Sequence, residues 1–365
     1  MKPLLILLLL YLHHHLASGQ IENGTAADPG QFPYAVQVHR GRPNINYDEE
    51  LPRGGESRRC TGVIIAANFA LTAAHCVTRL TENPPYMEVH RDVWIVAGEN
   101  LRPTAGERFS FAFRGTERRP DVIVPHELYP TDYIRIYDVA VMYFVDPLPV
   151  GRHNFIGSIR IASPIDEPLT GCRAMGWGNT RWRFSRVLVY GTQKERTELY
   201  GRVGYDKTAY DSPNRLLWGG VDVLSGPRGR EVCHDAFNPF RHYCVVAGRE
   251  GGLPLKGDSG GPLVCRARRK DGEEEDVVAG TVMYGDNGMY IIYSRLHTYK
   301  KWIMGVRQKL MANKRNIKET SRMLQEMQWK EKEEMDRRRQ ERKWRKRERR
   351  KENRRRRREE QARRK

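Results

Sequence analysis

No cysteine pair in this 365-residue sequence has the C-x2-C spacing, and no stretch after its first residues holds about 18 apolar residues in a row. The first absence argues against a zinc site with the usual ligand spacing, and the second argues against a membrane-spanning helix. The chain also lacks acidic excess, because its formal net charge is +19. Residues 313–365 hold 25 basic and 11 acidic side chains, so +14 of that charge belongs to a tail.

The first 18 residues have the pattern of a secretory signal peptide. Lys2 supplies the positive start, Leu4 to Leu12 form the apolar segment, and Ala17, Ser18 and Gly19 are small enough for cleavage. The apolar segment is too short to span a bilayer. We therefore expect a secreted, extracellular protein with residues 1–18 removed.

Six cysteines in a secreted chain favour three disulfide bonds over a metal site. Fifteen pairings of six cysteines are possible, and the residues alone do not choose among them. We expect no metal and no cofactor.

The segment from Gly257 to Pro262, Gly-Asp-Ser-Gly-Gly-Pro, is typical of a nucleophilic serine on a tight turn. Glycines let the backbone turn sharply and leave the hydroxyl of Ser259 uncovered. The amides of Gly257 and Ser259 could point together at a developing oxyanion. We interpret Ser259 as a nucleophile.

Two upstream segments supply the partners that such a serine needs. Leu71 to Cys76, Leu-Thr-Ala-Ala-His-Cys, presents His75, and Asp138 stands at the head of an apolar strand. With these motifs the sequence resembles the secreted serine proteases of the trypsin/chymotrypsin family, from about residue 21 to about residue 310. The resemblance implies that His75 takes the proton of Ser259 and that Asp138 holds the His75 ring.

The resemblance also implies a fold. Short β-rich runs separated by Pro and Gly turns indicate an all-β barrel or sandwich, and the family narrows this to two six-stranded Greek-key β-barrels with a C-terminal helix. The protease domain would cover 21–312. The implied disulfides are Cys60–Cys76, Cys172–Cys265 and Cys233–Cys244.

The resemblance further implies an activation step. A new amino terminus at Ile21 would pair with the buried carboxylate of Asp258, which makes cleavage a switch because an unpaired buried charge is costly. Gln20 precedes Ile21, so a tryptic activator would not cut there, and we expect trimming of the dipeptide 19–20. Asn23 begins the one N-glycosylation sequon.

A specificity pocket is implied at residues on both sides of Ser259. Leu253 would form its floor, where a carboxylate would select Arg or Lys, and its wall residues would be Met283, Tyr284, Gly285 and Gly288. Such an apolar lining predicts an open pocket and apolar rather than basic residues before the cut bond.

The tail and the departures from the family pattern leave alternatives open. Residues 313–365 lack Pro and Gly and are rich in charge, which predicts an exposed helix or a disordered arm. That arm could bind heparin-like polysaccharide or another anionic surface, or serve only to keep the protein soluble. We predict a serine endopeptidase that acts on proteins or peptides. The alternative is a weak or inactive homologue that acts as a binding protein.

Overall fold

The structure, a computed structural model, describes only part of the chain. The described residues are 24–40, 59–80, 87–90, 92–100, 116–129, 136–152, 154–166, 168–178, 215–224, 226–234, 237–248, 251–255, 257–269, 271–286, 290–319, 337 and 341. The chain divides into two compact units, Met1–Lys309 and Leu310–Lys365.

Strands dominate the first unit, as the sequence predicts. In the amino-terminal half they are β1 (Thr25–Ala26), β2 (Ala35–Arg40), β3 (Arg59–Ala66), β4 (Phe69–Thr72), β5 (Thr78–Leu80), β6 (Met87–Val89), β7 (Val93–Ala97), β8 (Thr116–Arg118), β9 (Val122–Pro125) and β10 (Ala140–Tyr143). In the carboxyl-terminal half they are β11 (Arg160–Ile161), β12 (Thr170–Gly176), β13 (Leu217–Leu224), β14 (His242–Ala247), β15 (Pro262–Arg268), β16 (Glu274–Asp286) and β17 (Tyr290–Arg295).

The helices are few, and most are short. They are α1 (Ala74–Val77), a 3-10 turn (Pro164–Asp166), α2 (Gly226–Cys233) and α3 (Leu296–Ala312). Residues 314–319 are also helical. Among the described residues, no helix is long and apolar enough to cross a membrane.

The amino-terminal half forms a curled, seven-stranded sheet in the order β8-β7-β2-β3-β4-β10-β9. Its strands are rich in Val, Ile and aromatic residues, which suit a pleated surface that is buried. A Cβ atom on Gly62 of β3 would lie 2.8 Å from the carbonyl oxygen of Leu71, so glycine allows β3 and β4 to approach closely. The concave side encloses a buried apolar core that includes Val36, Ile95 and Met142.

The carboxyl-terminal half forms a closed barrel of six strands. The order is β13-β12-β15-β16-β17-β14, and β14 pairs back with β13 to close the ring. β1 adds to the barrel along β13, and β11 adds along β16. The all-β prediction with two barrel-like halves is therefore confirmed, with one half a closed barrel and the other a curled half-barrel.

Helix α3 follows the barrel and confirms the predicted C-terminal helix. It begins at Leu296, and Leu296, Tyr299 and Ile303 are its buried residues. Trp302 lies beside them and donates its indole N–H to a Glu127 carboxylate oxygen over 2.6 Å. The helix is thereby joined to the loop that follows β9.

All three expected disulfides are present, and the described residues contain no free cysteine. Cys60–Cys76 joins β3 to α1, Cys172–Cys265 joins β12 to β15, and Cys233–Cys244 joins α2 to β14. Each bond links elements that already pack together.

Candidate active site

His75 lies on the one-turn helix α1, directly after β4. Arg40, at the end of β2, donates to the carbonyl oxygens of His75 (2.5 Å) and Cys76 (2.9 Å). The Thr78 hydroxyl donates to the Ala74 carbonyl oxygen over 2.8 Å. These hydrogen bonds fix the main chain that carries the imidazole.

The carboxylate of Asp138 faces His75 and is fully buried. Its Oδ1 accepts the main-chain N–H of His75 over 2.9 Å, and its Oδ2 lies 2.6 Å from the ring Nδ1. Because a carboxylate can only accept, this contact requires the proton on Nδ1. The other ring nitrogen, Nε2, is then left as an acceptor in the neutral imidazole.

Elements from the carboxyl-terminal half hold the segment that carries Asp138. The Ser294 hydroxyl, on β17, donates to the Asp138 carbonyl oxygen over 3.2 Å. The Tyr299 hydroxyl, on α3, donates to the carbonyl oxygen of Ile136. Neither contact could be predicted from a local motif, because each joins residues more than 150 positions apart.

Ser259 lies on a turn that depends on glycine. Gly257 and Gly260 have φ of 106° and 77°, in the left-handed region that favours glycine. A Cβ atom on Gly260 would also lie 2.2 Å from the hydroxyl oxygen of Thr72. The Ser259 carbonyl accepts the Thr61 N–H over 2.8 Å, which ties the turn to β3.

Within the described part of the chain, two N–H groups of this turn donate to no backbone carbonyl. The N–H groups of Asp258, Gly260 and Gly261 donate to backbone carbonyls. Those of Gly257 and Ser259 have no acceptor among the described residues. Two neighbouring free N–H groups can stabilise a negatively charged oxygen.

Asp258 points away from this turn into the protein and is 1% exposed. Its carboxylate accepts the N–H of Gly178 (2.5 Å) and the N–H of Leu255 (2.9 Å). A Cβ atom on Gly178 would lie 2.5 Å from that carboxylate, so the contact requires glycine. Ile21, the predicted partner, lies outside the described residues, as does Asn23.

The Cys60–Cys76 disulfide brings His75 and Ser259 to one place. The Cys76 sulfur lies 3.7 Å from His75 Nε2 and 3.6 Å from the Ser259 carbonyl oxygen. Both Sγ atoms and the imidazole lie within 4.8 Å of one another, but sulfurs joined in a disulfide are not thiolate ligands for a metal. Within the described residues no hydrogen bond joins His75 Nε2 to the Ser259 hydroxyl; such bonds often form only when substrate binds.

Four of the five predicted pocket residues lie among the described residues. Leu253 and Met283 are 2% and 3% exposed, Tyr284 is 44% exposed, and Gly285 pairs with Ile291 of β17. Gly288 lies outside the described residues. Sequence reasoning missed Ile291, although the short spacing between Gly285 and the apolar run Ile291–Tyr293 indicates a tight β-hairpin.

Below the turn lies Tyr293, which sequence reasoning also missed. It is fully buried, and its hydroxyl has no hydrogen-bond partner in the described part of the chain. Burial, and then the negative charge of Asp258, raise the pKa of this phenol well above its usual value. Tyr293 therefore stays neutral beside Asp258 at any physiological pH.

A family model described as Trypsin matches residues 21–303. Chymase from Papio hamadryas is 26% identical over 311 residues, which cover 81% of this chain and 94% of that protein. Trypsin eta from Drosophila melanogaster is 26% identical over 309 residues, covering 82% and 93%. Cathepsin G from Homo sapiens is 25% identical over 309 residues, covering 83% and 93%.

Proposed function

Because this chain belongs to the trypsin family of serine proteases, we propose that it is a secreted serine endopeptidase with His75, Asp138 and Ser259 as its catalytic residues. The observation that carries the proposal is the contact of Asp138 with both N–H groups of His75. It supports an imidazole whose Nε2 is free to accept a proton.

In the proposed reaction the Ser259 oxygen attacks the peptide carbonyl carbon while its proton passes to His75 Nε2. The N–H groups of Gly257 and Ser259 donate to the oxygen that becomes negative. His75 then gives the proton to the departing amine, and an acyl-enzyme remains. Water, deprotonated by His75, releases the acyl group and restores the serine.

We propose that activity begins when the chain is cut before Ile21. The new ammonium group would pair with Asp258, whose carboxylate is buried and accepts two N–H groups. Removal of residues 1–18 and then of the dipeptide 19–20 would produce this terminus. Sequencing the amino terminus of the mature protein tests this step, and a start at any other residue contradicts it.

Secretion is supported by the three disulfides, which persist in oxidising compartments. N-glycosylation at Asn23 follows from the sequon if the chain passes through the secretory pathway. The basic tail, residues 313–365, would bind an anionic surface such as a heparin-like polysaccharide.

The proposed substrate preference is apolar and not basic. The floor residue Leu253 and the wall residue Met283 bring no carboxylate to the pocket. Removing an Arg or Lys side chain from water without a counter-charge is costly. Substrates with Arg or Lys before the cut bond should therefore react slowly.

The alternative, a binding protein with weak or absent catalysis, is favoured by one observation. In the described part of the chain no hydrogen bond links His75 Nε2 to the Ser259 hydroxyl. The two functions differ in whether Ser259 is nucleophilic in the mature protein.

Labelling with a small alkyl fluorophosphonate tests the proposed function. The mature protein, collected from the medium of secreting cells, should be labelled at Ser259, and Ser259→Ala should abolish labelling. Ser163→Ala, which removes a serine from a distant loop, is the matched control and should leave it unchanged. A correctly cut wild-type protein that resists labelling would support the binding protein instead.

A further inference from the structure

Strand β16 flanks the Ser259 turn. The Val282 N–H donates to the Gly261 carbonyl oxygen, and the Gly260 N–H donates to the Val282 carbonyl oxygen, both over 2.8 Å. The next residues of β16, Met283–Gly285, therefore continue past the turn. Leu253, six positions before Ser259 in the sequence, belongs to the same buried cluster as Val282 of β16.

Strand β17 supplies a side chain to this space. Gly285 pairs with Ile291, and the hairpin continues to the pair Asp286 and Tyr290. The Ile291 Cδ1 atom lies 2.3 Å from the position that a Cβ atom on Gly285 would take. Ile291 therefore occupies the room that the missing side chain of Gly285 leaves free.

Ile291 and Leu253 are both buried. They belong to one buried cluster, together with Val282 and Tyr293, and are 3% and 2% exposed. The neighbouring residue of β17, Ile292, belongs to a different cluster with Met283 and Tyr290. The alternation of side chains along a strand separates the two isoleucines onto opposite faces.

We propose that Ile291 fills the side-chain pocket beside Ser259, so that the enzyme accepts only small aliphatic residues before the cut bond; this rests on the proposed endopeptidase function. A close-packed protein interior cannot admit the aromatic ring of a substrate side chain without strain. On this proposal the side chains of alanine and valine are short enough to avoid Ile291, whereas those of phenylalanine and lysine meet it. The sequence predicts an open apolar pocket, whereas on this proposal the side chain of Ile291 lies across it.

Peptide p-nitroanilides of the form succinyl-Ala-Ala-Pro-X test the proposal with the mature full-length protein. With X as Ala or Val, kcat/KM should exceed that for Phe and Lys by at least about tenfold. The reason is that the clash of a large substrate side chain with Ile291 costs more than its extra apolar contact would gain. A wild-type enzyme that cleaves the Phe or Lys substrate best overturns the proposal.

Two variants locate the effect at Ile291. Ile291→Ala should raise kcat/KM for the Phe substrate by at least about tenfold and leave the Ala substrate within about threefold. Ile292→Ala is the matched control: it removes the same atoms from the next position, on the opposite face, and should keep the wild-type order. An Ile291→Ala enzyme with an unchanged Phe-to-Ala ratio also overturns the proposal.

Labelling by diisopropyl fluorophosphate separates this inference from the function beneath it, because the reagent does not need the pocket. If the wild-type protein is labelled but prefers large residues, the result contradicts this inference and supports the proposed endopeptidase function. If the wild-type protein is not labelled, the result contradicts both. If Ile291→Ala is unlabelled and therefore misfolded, the wild-type order of substrates decides alone.

Discussion

At the scale of single residues, Asp138 governs the state of His75. The buried carboxylate meets the ring Nδ1 and the main-chain N–H at once, so the ring can neither flip nor exchange its proton position without losing a charge-assisted hydrogen bond. The same charge would stabilise the imidazolium formed when Ser259 gives up its proton.

Asp138→Asn should lower kcat by about 10⁴-fold and change KM little, because the amide lacks the charge and can place an N–H against Nδ1. Steady-state kinetics on a peptide substrate measure both constants. Asp121→Asn is the control, since Asp121 caps the Val145 N–H at 2.8 Å on the same sheet. Equal losses from the two substitutions would contradict a specific role for Asp138.

At this scale a functional residue can be predicted from the sequence only where its flanking residues form a motif. Ser259 and His75 stand in motifs of glycine and small residues, so their positions could be predicted from the sequence. Arg40, Ser294 and Ile291 stand in ordinary strands, and their importance arises only from residues far along the chain. Tertiary contacts of this kind leave no local signal.

At the scale of elements, an ion-pair network fixes the 3-10 turn to β11 and β16. Asp166 accepts from Arg160 over 2.8 Å and from the Ser163 N–H and hydroxyl over 2.5 and 2.9 Å. Burial alone would raise the pKa of Asp166, but these hydrogen bonds lower it to about 2. Arg160 also contacts Glu275 of β16, so the turn is held to the barrel.

Asp166→Asn should therefore reduce stability in a pH-dependent way. The folded pKa lies below the unfolded value of about 3.9, so the carboxylate stabilises the fold above about pH 4, and this is lost as the pH falls through about 2. We expect a loss of about 2 kcal/mol at neutral pH. Urea unfolding at several pH values measures it, and the difference from wild type should shrink as the pH is lowered.

Asp271→Asn is the control for that measurement. Its partner Arg269 lies 3.2 Å away, but both side chains are 50% exposed. Exposed pairs contribute at most about 1 kcal/mol. A pH-independent loss in Asp166→Asn would show that shape and not charge matters at the turn.

The strands and helix α3 illustrate how far a sequence predicts elements. β-branched runs such as Tyr290–Arg295 indicate strands, and Trp302 and Ile303 indicate an amphipathic helix. The ends of these elements are harder to predict from the sequence. Strand β17 passes directly into α3 at Leu296, and no Pro or Gly marks the boundary. Closure of one sheet into a barrel depends on β13 pairing with β14, which no periodicity reveals.

At the scale of the whole molecule, the charge is divided unevenly. Residues 313–365 carry +14 of the net +19, and the second compact unit, Leu310–Lys365, contains all of that segment. A dense positive segment attracts anionic polymers over distances set by ionic strength. The proposed catalytic residues, in contrast, all precede position 309.

Deletion of residues 313–365 should lower the salt concentration that elutes the protein from a heparin column and leave kcat/KM for a short peptide within about twofold. The change should be largest at low ionic strength, where screening is weak. Retention that is unchanged by the deletion would mean that the protease domain, and not the tail, binds the column.

Two side chains that hold the segment carrying Asp138 follow Ser259 in the chain. A ribosome-bound chain that has reached Ser259 already contains the acid, the imidazole and the alcohol, yet Ser294 and Tyr299 have still to be translated. Until they are made, the carbonyls at 136 and 138 lack these two hydroxyl donors. The position of Asp138 against His75 therefore depends on strand β17 and helix α3, both of which follow Ser259 in the chain.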